Sequence, residues 1–213
     1  MHEAAGDPLQ AGESLRWLAR ILWWSGRGAE AAEDADRAIA TLQRLPEGPE
    51  LAMALSGRSQ LAMLAERSEE AIALGTRAGE LARRLGDRAT LAHALTNVGT
   101  ALLGGEQHER GRALLEEAYG LAAADGEDDH AARALVNLAT CTLMRRRGDP
   151  RMGDDLARAL AFAQERDLDG YVQYLLGAGA NLRAFRASGR PPKPTRAPRS
   201  RSGSTEGSAC ARR

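Results

Sequence analysis

The chain has 213 residues, of which 43% are hydrophobic and only 4% aromatic, and its commonest residues, Ala, Leu, Arg and Glu, favour helix. Its net charge is zero because six arginines and one lysine against one glutamate from Ser188 onward offset an acidic body. The sequence contains no apolar run of about 18 residues, no apolar signal segment near Met1 and only two cysteines. These features argue against a membrane span, a secretory signal and a disulfide framework, so we expect a cytoplasmic protein that does not enter a membrane.

A repeat with a period of 40 residues runs along the chain. Five leucines mark it, at Leu15, Leu55, Leu95, Leu135 and Leu175. Four residues after each leucine stands a small residue, at Ala19, Ser59, Gly99, Ala139 and Gly179. Seven residues after each leucine come Leu22, Ala62, Leu102, Thr142 and Leu182. Self-similarity at a fixed period predicts stacked copies of one structural unit.

The second half of each unit repeats as well. Small residues follow the leucine by 16 and by 23 positions, at Ala31, Ala71 and Gly111 and at Ala38, Ala78 and Ala118. The fourth unit fits this register if its internal turn is one residue longer, which places Met152, Leu156 and Ala159 at the equivalent positions. Arg, Gly, Asp and Pro between 145 and 150 are typical of such a turn.

Taken in chain order, each unit predicts a helix, a short turn and a second helix. First helices are expected at 12–25, 50–65, 89–104, 130–146 and 170–187, and second helices at 29–44, 68–85, 107–124 and 151–166. The units therefore lie near 12–46, 50–86, 89–125 and 130–167, with a half unit at 170–187, and together form a repeat array over 1–187. Proline and arginine replace the pattern after Ala187, so 188–213 is predicted to be a disordered tail.

The third unit resembles the tetratricopeptide pattern, with large residues at Leu95, Val98 and Leu102 around the small Gly99. Its second helix continues the pattern with Gly111, Leu115 and Ala118, and small residues of this kind allow two helices to cross closely. This resemblance implies an all-α fold, a right-handed α-solenoid of about four and a half tetratricopeptide-like helical hairpins.

The segments 15–27, 50–56, 60–64 and 91–100 resemble the repeat region of actinobacterial LuxR-type transcriptional regulators of the maltose-activator class. That family combines an ATPase module, tetratricopeptide repeats and a C-terminal helix-turn-helix. The chain has no phosphate-binding loop, and its single lysine, Lys193, lies in the tail. The resemblance therefore implies a signal-sensing repeat module, here a fragment that lacks the ATPase and DNA-binding domains.

No residue pattern indicates catalysis, a metal or a cofactor. His2, His93, His108 and His130 are scattered, and none has a partner at metal-ligand spacing. Cys141 lies in an apolar helical stretch and is expected to be a buried small hydrophobic residue rather than a nucleophile. We therefore predict a non-enzymatic protein without a cofactor.

In a helical solenoid, the first helix of each hairpin lines the concave groove. The repeat register predicts that ten residues of these helices face a partner in the groove, a peptide, a protein or a small effector: Arg16, Arg20, Gln60, His93, Thr96, Asn97, Thr100, Arg133, Asn137 and Thr140. Asn97 and Asn137 occupy equivalent positions and could bind a peptide backbone, because an amide both donates and accepts hydrogen bonds. The alternative is that all ten are polar groove residues that face water.

Other interpretations stay open at this stage. Trp17, Trp23 and Trp24 cap the first hairpin, with at least one in the core, or form a docking patch. The half repeat at the end predicts self-association through uncovered apolar residues, namely Leu175, Leu176, Leu182 and Phe185. The chain could also be a stand-alone adaptor, or it could bind nucleic acid through its basic tail. In the regulator interpretation, nucleic acid is reached only through the missing domain.

Overall fold

The computed structural model describes residues 7–145 and 148–187. This part of the chain consists of nine helices and contains no strand. The helices are α1 (Pro8–Trp24), α2 (Gly28–Leu42), α3 (Pro49–Leu64), α4 (Ser68–Leu85), α5 (Arg88–Leu103), α6 (His108–Ala124), α7 (Asp128–Arg145), α8 (Met152–Gln164) and α9 (Asp169–Ala187). The predicted all-α solenoid is thus confirmed, and the helix ends differ from the predicted ones by a few residues at most.

The helices form two layers. Each odd-numbered helix packs against the next odd-numbered helix, from α1 on α3 through to α7 on α9. Within the described ranges, the backbones of the even-numbered helices approach only the odd helices that flank them in sequence, and neighbouring even helices reach each other through side chains alone, as Arg112 of α6 does to Asp155 of α8. An array whose odd helices lie closer together than its even helices curves toward the odd side. The odd helices therefore form the inner, concave layer and the even helices the outer layer.

The small residues of the repeat allow this packing. A Cβ atom built on Gly99 would lie 2.8 Å from the carbonyl oxygen of Gly111, and one on Gly111 would lie 2.7 Å from the carbonyl oxygen of Gly99. Helices α5 and α6 therefore cross closely only because both positions are glycine. The repeated leucines from Leu55 to Leu175 are at most 6% exposed, and the smaller residues at the repeat positions fill the space between them.

The loops follow the sequence signals for turns. Gly86 ends α4 in the left-handed conformation, at φ 71°, and Asp87 then caps α5 by accepting a hydrogen bond from the Thr90 amide at 3.0 Å. The link between α7 and α8 is longer than the other intra-hairpin turns. Helix α8 starts at Met152, the equivalent of Gly111 in α6, and so lacks the first turn that α6 has.

The last helix is better covered than the sequence predicts. Leu175 and Leu182 are buried against α7 and α8, and Phe185 is half-buried. Of the four residues expected to be uncovered, Leu176 is the one that is largely exposed, at 51%. The prediction that all four lack cover is wrong for the two buried leucines, because the α7–α8 hairpin already supplies their contacts. Self-association through α9 stays a prediction.

The C-terminal tail and the possibility of a membrane span were both addressed from the sequence. The predicted disordered tail, 188–213, lies outside the described residues. The domain boundary near Ala187 and the role of the tail therefore stay predictions. Among the described residues, no helix is long and apolar enough to cross a lipid bilayer.

Candidate functional site

The ten predicted groove residues all lie on inner helices, but they fall into two groups. Four of them, Arg16, Arg20, Gln60 and His93, line a cavity at the N-terminal end of the groove. The other six lie on α5 and α7 and mostly join these two helices to each other or cap turns of their own helix: Thr96, Asn97, Thr100, Arg133, Asn137 and Thr140. Whether any of the ten contacts a partner stays a prediction.

A buried hydrogen-bond network links three inner helices around Asn97. The Asn97 amide nitrogen donates to the carbonyl oxygen of Ser56 on α3 at 2.9 Å, and its amide oxygen accepts from Arg133 on α7. The Ser56 hydroxyl lies 2.7 Å from His93 Nδ1. Asn97 is 0% exposed, so its amide holds α3, α5 and α7 together. It therefore cannot bind a peptide backbone without giving up these bonds.

The hydroxyl groups of the three threonines also form hydrogen bonds within the protein. The hydroxyls of Thr96 and Thr140 donate to the carbonyl oxygens of Ala92 and Val136, one turn earlier in their own helices, at 2.8 and 2.7 Å. Asn137, which is only partly buried, donates to the Thr100 hydroxyl at 3.0 Å. Asn137 thus keeps an exposed part and is better placed than Asn97 to face a ligand.

The cavity lies between α1, α2 and α3, has a volume of about 90 Å³ and opens to solvent. Its walls are mainly apolar and come from α1, α2 and α3, and they include Trp23, Met53, Leu61 and Leu64. Its polar lining comprises Arg16, Arg20, Arg58, Gln60 and His93. No carboxylate is among the lining residues that the structure describes.

Sequence reasoning missed the apolar half of this cavity. Met53 and Leu61 carry no signal that separates them from other helical hydrophobic residues. Trp23 was singled out, but the prediction that at least one tryptophan belongs to the core is wrong. Trp17 and Trp24 are 50% and 72% exposed, and Trp23 is only half-buried at the cavity wall. The reason is that α1 packs only on α2 and α3 and has no preceding hairpin in the described structure.

The electrostatic field around His93 is positive. Burial lowers the pKa of the His93 imidazole well below its ordinary value, and the charges of Arg133, Arg20 and Arg16 lower it further. His130 stands edge-on to His93, with ring centroids 5.7 Å apart, and burial lowers its pKa as well. Both imidazoles are therefore neutral at physiological pH, and the positive charge belongs to the arginines.

Arg133 is a half-buried cation without a carboxylate partner among the described residues. Burial lowers the pKa of its guanidinium to about 10, and the Arg20 charge contributes to the lowering, while Tyr171 and Asp129 oppose it. The group stays protonated at neutral pH. Its Nη1 atom, Nε of Arg16 and Nδ1 of His130 are buried and lack hydrogen-bond partners in the described structure. Such orphaned donors are unfavourable unless a ligand or water binds them.

The Ser56–His93 pair has the spacing of a nucleophile and its general base. Ser56 is, however, 0% exposed and lies beneath the Asn97 network, so a substrate carbonyl cannot reach its hydroxyl. The pair is accordingly a structural contact between α3 and α5.

The described residues also contain no group of three His, Cys, Asp or Glu side chains that could hold a metal ion. Cys141 is partly buried and packs against Leu103, Leu115 and Leu138.

No family model matches the chain, and no curated protein matches it in sequence. Among solved structures, a Rap protein complexed with competence and sporulation factor matches with a TM-score of 0.70 and 17% identity, over 80% of this chain and 48% of that one. Aspartyl phosphate phosphatase F from Bacillus subtilis matches with a TM-score of 0.68 and 13% identity, over 86% and 51%. BtubC (BKLC) from P. vanneervenii matches with a TM-score of 0.61 and 20% identity, over 92% and 89%.

These likenesses identify the fold as a tetratricopeptide-like helical repeat, since identities this low carry no more than the fold. The chain spans about half the length of the first two structures it matches. None of the three is named as a LuxR-type regulator, so that part of the resemblance stays a hypothesis.

Proposed function

We propose that the chain is an interaction module that binds a peptide or an extended protein segment along its inner helices. The observation that carries this proposal is the solvent-open cavity, where an apolar wall from α1–α3 meets Arg20, which has no carboxylate partner among the described residues, and Arg16, whose Nε is buried without a hydrogen-bond partner. Apolar walls with a few convergent polar groups are typical of binding sites. The Rap structure, which has the same fold, is complexed with competence and sporulation factor.

Binding fits the arrangement of the inner helices better than catalysis. The network around Asn97 fixes α3, α5 and α7 relative to one another, which gives a ligand a preorganised surface. The hydroxyl that could act as a nucleophile, that of Ser56, is buried within that network. We therefore assign the module a scaffolding role without chemistry of its own.

A selection from a random peptide library tests this proposal. The full chain is immobilised, decapeptides that bind it are enriched, and their affinities are measured for two variants that each introduce one tryptophan. Gln60→Trp fills the cavity, whereas Arg77→Trp places the same ring on an exposed position of the outer helix α4. We expect Gln60→Trp to weaken binding at least tenfold and Arg77→Trp to leave it unchanged.

Two results would contradict the proposal. One is a selection that yields no peptide above background with a chain shown to be folded by circular dichroism. The other is a set of peptides that bind Gln60→Trp as tightly as the parent chain, since these would occupy another surface.

We further propose that the module senses a signal within a LuxR-type transcriptional regulator. The support is the similarity of segments 15–27, 50–56, 60–64 and 91–100 to the repeats of that family. A stand-alone adaptor is equally consistent with the fold. Sequencing the DNA on both sides of the reading frame separates the two. A phosphate-binding loop upstream and a helix-turn-helix downstream would establish the regulator, and the absence of both would leave the adaptor.

A further inference from the structure

We propose that the groove binds an acidic ligand, namely a peptide segment in which a carboxylate follows or precedes a large apolar side chain. This inference rests on the proposed function and specifies its ligand class. The carboxylate would meet the guanidinium groups of Arg16, Arg20 and Arg133 around His93. The apolar side chain would enter the adjacent cavity.

The first step of the argument is the charge of the site. Arg16 and Arg20 come from α1 and Arg133 from α7, and all three act electrostatically on His93 between them. In the described structure, Arg20 and Arg133 have no carboxylate within ion-pair distance. Arg16 has only the half-exposed Glu13, at 3.4 Å. Three cations thus act on one imidazole, and the negative charges that oppose them are those of Glu13 beside Arg16 and of Asp129, which acts on Arg133 without forming an ion pair.

The second step is the hydrogen-bond capacity that these side chains leave unused. One nitrogen of Arg133 donates to the neutral amide oxygen of Asn97, but its Nη1 is buried without a partner. Arg16 Nε is buried without a partner in the same part of the groove. A planar guanidinium offers paired donors that match the two oxygens of a carboxylate. The orphaned donors therefore fit a carboxylate better than they fit a neutral group.

The third step is how this chain treats buried arginines elsewhere. Arg58, whose side chain is 7% exposed, lies between Asp36 at 2.8 Å and Glu70 at 2.6 Å. Arg112 forms two parallel hydrogen bonds with Asp155, at 2.7 and 2.6 Å. Both of these arginines therefore have a carboxylate of the chain as their counter-charge, although Nη1 of Arg58 is also buried without a hydrogen-bond partner in the described structure. The site around His93 lacks one in the described structure, so a ligand carboxylate is the complementary group.

The fourth step is the wall beside these cations. Trp23, Met53 and Leu61 line the cavity together with Arg16 and Arg20. An apolar side chain that packs on this wall removes apolar surface from water, and this transfer has a favourable free energy. Because cation and wall belong to one cavity, the acidic and apolar groups of the ligand must be neighbours.

The peptide selection described above also tests this inference. We expect enriched decapeptides to carry Asp or Glu next to an aromatic or large aliphatic residue. Replacing that acid by Asn or Gln in one selected peptide should weaken its binding at least tenfold, and raising the NaCl concentration should weaken it further. Arg20→Gln, at an exposed position, should weaken the acidic peptide by a similar factor but leave its amide analogue unchanged. Arg84→Gln, an equal charge change on the outer face, is the matched control.

The outcomes separate the two proposals. Peptides without an acidic preference that still lose affinity for Gln60→Trp would overturn the ligand class and leave the groove function in place. Acidic peptides that bind Arg20→Gln and Arg84→Gln equally well would also overturn it. Failure to select any peptide would overturn the proposed function itself. Arg133→Gln adds a second test if its circular dichroism matches that of the parent chain. If this variant unfolds, the peptide affinity of Arg20→Gln still tests the ligand class.

Discussion

The outer and inner surfaces of this solenoid use the same residue type in opposite ways. On the outer helices and their links, arginines reach carboxylates of a neighbouring hairpin, as Arg158 does to Glu116 and Arg166 to Asp128, both at 2.8 Å. On the inner helices, Arg20 and Arg133 meet no carboxylate in the described structure, and Asn97 is the protein partner of Arg133.

This difference indicates which surface stabilises the fold and which surface is suited to binding a ligand. The outer pairs join residues that lie about one repeat apart, for example Arg158 and Glu116, which are 42 positions apart in sequence and whose Nη1 and Oε2 atoms are 2.8 Å apart. They belong to the interfaces between hairpins that hold a repeat array together. Arg20 on the inner side forms no such ion pair in the described structure, so its charge is available to a ligand. Substitutions on the two surfaces should therefore have different consequences.

The largest expected effect is on the outer side, at Asp155. Asp155→Ala leaves the guanidinium of Arg112 partly buried without its two hydrogen bonds, because the Asp155 side chain is only 5% exposed. We expect the free energy of unfolding in urea to fall by about 3 kcal/mol.

The matched control is Glu117→Ala, whose pair with Arg83 is about half exposed on both sides. This substitution should lower the free energy of unfolding by less than about 1 kcal/mol. Equal losses of stability in the two variants would show that burial does not make the Arg112–Asp155 pair more stabilising than the Arg83–Glu117 pair.

A smaller effect is expected from His93, as a dependence of stability on pH. Its folded pKa lies well below the ordinary value of 6.5, so between these values the unfolded chain binds a proton that the folded chain does not. Stability is therefore fully present above pH 6.5 and is lost as the pH falls, by up to about 1.4 kcal/mol per pH unit. Urea unfolding between pH 6.5 and pH 5 measures this slope.

The variant His93→Gln should flatten the slope over that range. His130→Gln should flatten it less, because His130 is less buried. Carboxylates with lowered pKa, such as Asp149, lose their contribution only in more acidic solution. An unchanged slope in His93→Gln would show that the imidazole is not held neutral by the groove.

The smallest expected effect on stability is at Arg20. Arg20→Gln removes an exposed cation that has no carboxylate partner in the described structure and that lies in the field of Arg133. Its free energy of unfolding should change by less than about 0.5 kcal/mol, with either sign. Arg84→Gln, which breaks an exposed pair with Glu47 at 2.7 Å, should lower stability by up to about 1 kcal/mol. A loss above that at Arg20 would indicate a structural role for the inner arginines.

The repeat was readable from the sequence because packing imposes it. Ser59, Gly99 and Ala139 occupy equivalent contacts between helices, and such contacts admit few residue types, so they recur every 40 residues. The shortened start of α8 was only partly foreseen. The extra residue in the 145–150 turn was visible, whereas the loss of a helical turn depends on the course of that link.

The site was predicted less well than the fold. The repeat register places Asn97 and Arg20 on inner helices, but it cannot distinguish a side chain buried between neighbours from one that faces solvent. Asn97 is buried because Ser56 and Arg133 converge on it from two other helices. The cavity wall at Met53 and Leu61 depends on how α1, α2 and α3 come together in space, which no local pattern encodes.

A crystal structure of the chain with one selected peptide tests the central claim most directly. The account predicts that the peptide lies along the odd-numbered helices, with a carboxylate bonded to the guanidinium of Arg16, Arg20 or Arg133 and an apolar side chain against Trp23 and Met53. A peptide bound to the outer helices, or one bound in the groove without contacting any of these arginines, would contradict it.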